Sequence, residues 1–239
     1  MHLLILKRIK KILKPLAKIV SKVAVWIILF INFSLLHSKK NHVPVLLASL
    51  CFNDLLVFKI NPELLKYHVS DPDSMLGNLF VWSGEWDKDI IPIEEHEKFI
   101  MIRELFVDKK DYRNTQFYSF AVSKMLNGKP VKRSNITLDS TENIISYFKK
   151  HSKLYNNIKN NGFDLELAPQ VGVVMGSDGR LIHFRQGHHT LAIAKILGIE
   201  NVIVRIRAVH SLWLYNQIRN KGGLYLLESV RRGFKKLLE

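Results

Sequence analysis

The 239-residue chain contains a single cysteine, Cys51. No intrachain disulfide can form, so nothing here signals an oxidising compartment, and a cysteine-based zinc cluster is excluded. Cys51 lies in an apolar run and reads as a small buried hydrophobe. Other signatures are missing as well. There is no Walker A sequence, no Gly-x-Ser-x-Gly elbow, no internal repeat and no low-complexity tract. No helix-turn-helix reader follows residue 210, which argues against a site-specific DNA-binding protein. Acidic residues are absent from positions 1–40, which carry nine lysines and arginines. The +15 balance falls to +6 once those nine are set aside. The electropositive feature is therefore an arm, and the rest of the chain is only mildly basic.

Three parts follow from the pattern: a basic segment over 1–40, a domain over 43–210 and a helical tail over 211–239. A hydrophobic content of 47% supports one sizeable core. In the arm, Lys7, Lys11, Lys14 and Lys18 share one helical face, and Leu6, Ile9, Leu13 and Leu16 share the other. Residues 23–36 are nearly all apolar, but a span needs about 20 such residues. The expected arrangement is cytoplasmic and peripheral on an anionic membrane surface, with a single-span anchor as the alternative. Removing residues 1–36 should abolish binding to anionic liposomes and leave a soluble, folded domain. Salt should weaken liposome binding by the full-length chain without eliminating it, because Ile27, Ile28, Leu29 and Phe30 insert regardless of screening. Complete release at moderate salt would point to nucleic acid as the partner.

The densest information lies in Val173–Val209. Runs Val173–Met175 and Leu181–Phe184 flank Gly176-Ser177-Asp178-Gly179, which is hairpin chemistry. Arg185-Gln186-Gly187-His188-His189-Thr190 then opens a helix over Leu191–Leu197 that stops at Gly198. The β-branched run Val202–Val209 closes the unit. A polar, glycine-containing loop at a helix start can bind an anion, since free N–H groups and the positive dipole end face it.

This order of hairpin, Gly187-His188-His189-Thr190 loop, Leu191–Leu197 helix and strand resembles the ParB/sulfiredoxin superfamily, and most of all the GHHR type of ParB-like free serine kinases. Residues 155–163 look like the family's helix end before the hairpin. Leu55–Ile60 with Asn61-Pro62-Glu63 looks like its first strand and exit. The resemblance implies an α/β (α+β) fold with a small mixed sheet, packed helices and a helical insertion near 88–135. It also implies transfer of a phosphoryl group from a nucleotide (ATP/ADP or CTP, with Mg²⁺) to a small hydroxyl-bearing acceptor. Gly187, His188, His189 and Thr190 would cradle phosphates with Arg185 and Gln186 beside them, and family position makes Glu63 the base. Two departures matter. His188 stands where sulfiredoxins carry their reactive cysteine, which excludes that chemistry. Thr190 stands where the superfamily places arginine, and a hydroxyl cannot replace a bidentate guanidinium.

Gly77–Asp87 concentrates two tryptophans and two carboxylates. One reading makes it a site wall: Trp86 stacks a base, and Glu85 or Asp87 holds Mg²⁺ or acts as base. The other makes it a structural turn. Leu79–Trp82 is expected as a strand, Ile93–Val107 and Tyr112–Leu126 as helices, and Lys129–Ser134 as a basic loop. A long helix is expected over Thr141–Lys159, capped by Asp139 or Ser140. His183, His188, His189 and His210 admit a zinc reading, but their spacing fits no His-x₃-His pattern. Two alternatives to phosphoryl transfer stand. One is a non-catalytic module binding a nucleotide or nucleic acid, and the other is a nuclease, which would need clustered acids.

Overall fold

The computed structural model describes residues 56–71, 79–133, 136–162 and 170–219, together with 232, 233 and 236. The N-terminal arm, Cys51 and most of the tail lie outside these residues, as do the expectations attached to them. Among the described residues no helix is long and apolar enough to cross a membrane.

In chain order, β1 (Val57–Ile60) leads through a 3-10 turn, Pro62–Leu64, to β2 (Tyr67–Val69), β3 (Val81–Trp82) and β4 (Ile90–Pro92). Two helices follow, α1 (Glu97–Phe106) and α2 (Gln116–Leu126). A small hairpin, β5 (Val131–Arg133) and β6 (Ile136–Leu138), precedes the long α3 (Thr141–Asn161). Then come β7 (Val171–Met175), β8 (Leu181–His183), α4 (His188–Ile196), β9 (Val202–His210) and α5 (Ser211–Arg219). The architecture is α+β, as expected.

One mixed seven-stranded sheet frames the molecule in the order β1-β9-β7-β8-β2-β4. The β-branched β9 is its spine. It pairs with β7 in parallel on one side. On the other it pairs with β1 antiparallel, then with β3 in parallel. The register slips at Arg207, because Val173 faces Ile206 while Val174 faces Ala208. This bulge resets the phase of the strand. Val202, Val204, Ile206 and Val209 pack in one apolar cluster, and Ala208 packs in another with Val174, Ile182 and Phe184.

The helices build a second core. α3 starts at Ser140, whose Oγ accepts from the Asn143 N–H at 3.2 Å, and ends at Gly162 with φ +76°. Its buried stripe includes the expected Ile144, Phe148, Tyr155 and Ile158. α4 is buried almost all round. Leu191 and Ala194 join the sheet cluster, while Ala192 and Ile193 join the helical one. The first turns of the two expected middle helices are 3-10, and α1 and α2 begin only after caps at His96 and Thr115. The basic stretch from 129 is not a plain loop: Val131–Arg133 is a strand paired with Ile136–Leu138. Isolated lysines and arginines masked its alternation. β4, within the stretch expected as an insertion, joins the main sheet through β2.

Candidate functional site

After β8 the chain turns tightly through Phe184–Gly187. The turn is bolted to β7 by two backbone bonds: the Gly172 N–H donates to the Gln186 carbonyl (3.0 Å), and the Phe184 N–H donates to the Gly172 carbonyl (2.8 Å). Arg185 and Gly187 both adopt left-handed backbone, with φ +59° and +81°. For Arg185 that conformation costs about 1–2 kcal/mol, and such strain gathers at functional turns. At Gly187 a Cβ would also stand 2.8 Å from the Val171 Cα, so no side chain at 187 is a neutral probe of this loop. The first backbone bond of α4 runs from the Leu191 N–H to the Gly187 carbonyl at 2.8 Å. The N–H groups of His188, His189 and Thr190 therefore have no acceptor within the helix.

The residues that carry them line a cavity of about 740 Å³ between the loop, α1, α3 and β9. Lys98, Arg133, Lys150, Arg185 and Arg207 line it, and among the described residues no carboxylate does. Arg133 donates to Glu97 at 2.5 Å, and Arg207 donates to the Gln186 side chain. The Lys98 N–H donates to His96 Nδ1, but its ammonium has no hydrogen-bond or ion-pair partner among the described residues. Burial, with the charge of Arg133 beside it, holds its ammonium below the usual lysine range. A cavity so lined attracts an anion.

His151, His188 and His189 line this space, and His68, His96 and His183 pack against His188. His68, on β2, and His183, on β8, bring their Nδ1 atoms to 3.0 Å. His183 Nε2 lies 3.0 Å from the Gln186 carbonyl, so that nitrogen carries the proton and donates. The His188 ring lies 4.3 Å from that of His183 and stacks at 4.4 Å on His96. A second group joins α3 to the start of α4: Tyr147 Oη lies 2.9 Å from His189 Nε2, and the His151 and His189 rings are 3.7 Å apart. Burial lowers the pKa of all six. It brings His68 and His151 to about 4 and His96 to about 3, and it holds His183, His188 and His189 well below the ordinary value. Near neutrality they are uncharged. Burial likewise raises the Tyr147 hydroxyl, which shares a hydrogen bond with His189.

The loop candidates Arg185, Gln186, Gly187, His188, His189 and Thr190 all line the cavity. The other candidates are elsewhere. Glu63 accepts from Lys195 at 2.9 Å, seven residues along from His188 and so about 10 Å down the helix. Glu85 is exposed and paired with Lys88. Asp87 is buried, and its Oδ2 accepts from the Ser177 N–H (2.7 Å) and hydroxyl (2.6 Å) at the hairpin turn. The Trp86 ring lies 5.5 Å from that of His210. Asp87 touches Gly176, whereas the loop touches Val171. Five residues of strand separate the two ends, about 16 Å. Glu85 and Asp87 do not belong to any cluster of three potential metal ligands among the described residues. The geometry of Asp87 is that of a staple between a turn and a hairpin, the second of the two readings given for that segment.

His68, His96, Lys98, Arg133, Tyr147, Lys150, His151 and Arg207 line or back this site, and no motif marks them. The one signal for them is compositional, ten histidines in a chain with one cysteine. No family model matches the chain, no curated protein matches it, and no solved structure matches it.

Proposed function

We propose that this chain binds a phosphate-bearing ligand of the nucleotide class at the start of α4 and transfers a phosphoryl group from it to a small hydroxyl-bearing acceptor. One observation carries the reading: among the described residues, five basic side chains and the first turn of α4, whose three N–H groups have no acceptor within the helix, line a cavity that no carboxylate lines. The resemblance of the 173–209 segment to ParB-like free serine kinases supports it. Arg185 and Arg207 offset the arginine that Thr190 replaces. Since Glu63, Glu85 and Asp87 are engaged elsewhere, activation of the acceptor falls to a neutral imidazole of the cavity or to a metal ion. That same placement favours a second reading, a module that binds the nucleotide without turning it over.

Calorimetry with ADP, ATP and CTP, with and without Mg²⁺, tests binding, and label transfer to small alcohols and hydroxy amino acids tests turnover. Lys98→Met should weaken binding about 10- to 100-fold, the value of one charge-assisted hydrogen bond. Heat in none of these titrations, nor with inorganic phosphate, would refute the site. Binding without transfer would select the second reading.

A further inference from the structure

We propose that His68, His183 and His188 bind a divalent transition-metal ion of the zinc class. One nitrogen from each ring lies within 4.8 Å of the others, the only such cluster of three among the described residues. Bonds of about 2.0–2.1 Å to a tetrahedral ion place imidazole nitrogens roughly 3.3 Å apart. The 3.0 Å between the Nδ1 atoms of His68 and His183 is already close to that, and a small swing of His188 closes the triangle.

Two further observations separate a metal site from mere packing of rings. His183 donates its other nitrogen, Nε2, to the Gln186 carbonyl, the outer contact that orients a ligating histidine and leaves Nδ1 unprotonated, where it accepts from His68 Nδ1 until an ion takes that proton's place. His188 has no hydrogen-bond partner on either ring nitrogen among the described residues, although histidines surround it. Imidazole ligands select zinc-class ions over Mg²⁺ and Ca²⁺, which prefer oxygen. Three protein ligands leave a fourth position, the pattern of a catalytic and not a structural site. His188 also lines the cationic cavity, so that position adjoins the anion site. Among the described residues no carboxylate offsets the added charge there. The fourth ligand is therefore anionic, hydroxide or a phosphate oxygen, and the ion supplies the activation that the distant carboxylates do not. This use rests on the phosphate reading. The binding of the ion does not.

The test uses the full chain, free of any affinity tag, stripped with EDTA and dialysed. Titration with Co²⁺ alone should give one equivalent bound with the visible absorption of a four-coordinate ion, displaced by Zn²⁺. His188→Gln and His68→Gln should each weaken Co²⁺ binding at least 100-fold, beyond the 10- to 100-fold typical of outer contacts. His210→Gln, near the hairpin turn, should bind as the wild type does. Circular dichroism identifies variants that are folded. No Co²⁺ absorption in the folded wild type would overturn the proposal, as would unchanged affinity in a folded His188→Gln. Nucleotide titration in EDTA reads the phosphate site separately, so either reading can fail while the other stands.

Discussion

Gly172→Ala should destabilise the domain by about 3–5 kcal/mol, a large part of the 5–15 kcal/mol that holds a typical domain together. A Cβ at this position would lie 2.3 Å from the Phe184 carbonyl oxygen. That atom is backbone and cannot rotate away. The turn would have to lift from β7, at the expense of the bonds from Gly172 to Gln186 and from Phe184 to Gly172. Each contributes about 1 kcal/mol, and forced overpacking adds 1–3 kcal/mol. Gly198→Ala is the comparator. Gly198 has φ +64° but nothing within 4 Å of its Cβ position, so only backbone strain of about 1 kcal/mol is expected. Urea denaturation of both variants checks this. A loss at Gly172 no greater than at Gly198 would show that the turn gives freely, and the loop would not be the rigid support assigned to it.

Metal-free protein should unfold cooperatively on mild acidification, with a midpoint near pH 5. The six histidines in and behind the cavity have folded pKa values below the 6.5 of the unfolded chain. The unfolded state therefore binds more protons as pH falls. Their contribution is intact above pH 6.5 and is lost progressively from there towards pH 4 and below. Each uncompensated proton costs about 1.4 kcal/mol per pH unit. Six together reach the order of the whole stability of a domain one to two units below 6.5. Tryptophan fluorescence against pH in EDTA reads the transition. A midpoint below about pH 4, where carboxylates titrate, would show that these rings protonate in place.

The segment from β7 to β9 was legible because its signals are local. Gly176–Gly179 makes a hairpin, Gly198 stops a helix, and β-branched residues make β9, each within a few positions of sequence. The α3 stripe was legible for the same reason, a strong helical period between Ser140 and Gly162. The site was legible only on the loop side. His68 and His183 lie 115 residues apart, and the strand pairing that joins them is a single register contact between β2 and β8. Nothing near His68 distinguishes it from a core histidine. The carboxylate candidates show the opposite failure. Glu85, Trp86 and Asp87 are conspicuous in sequence because the turn is polar and aromatic, yet Asp87 spends both its hydrogen bonds on Ser177. β5 was missed because its lysine and arginine outweigh one valine in any short window.

The double membership of α4 bears on how the molecule loses its order. Leu191 and Ala194 face the sheet, and Ala192 and Ile193 face the helices, so neither apolar cluster can open without exposing a wall of the other. The two cores are thereby one cooperative unit, and hydrogen exchange along Leu191–Ile196 reports only global opening. An anion seated at the start of α4 consequently does not tighten a local loop. It shifts the population of the whole fold, by mass action on a single equilibrium.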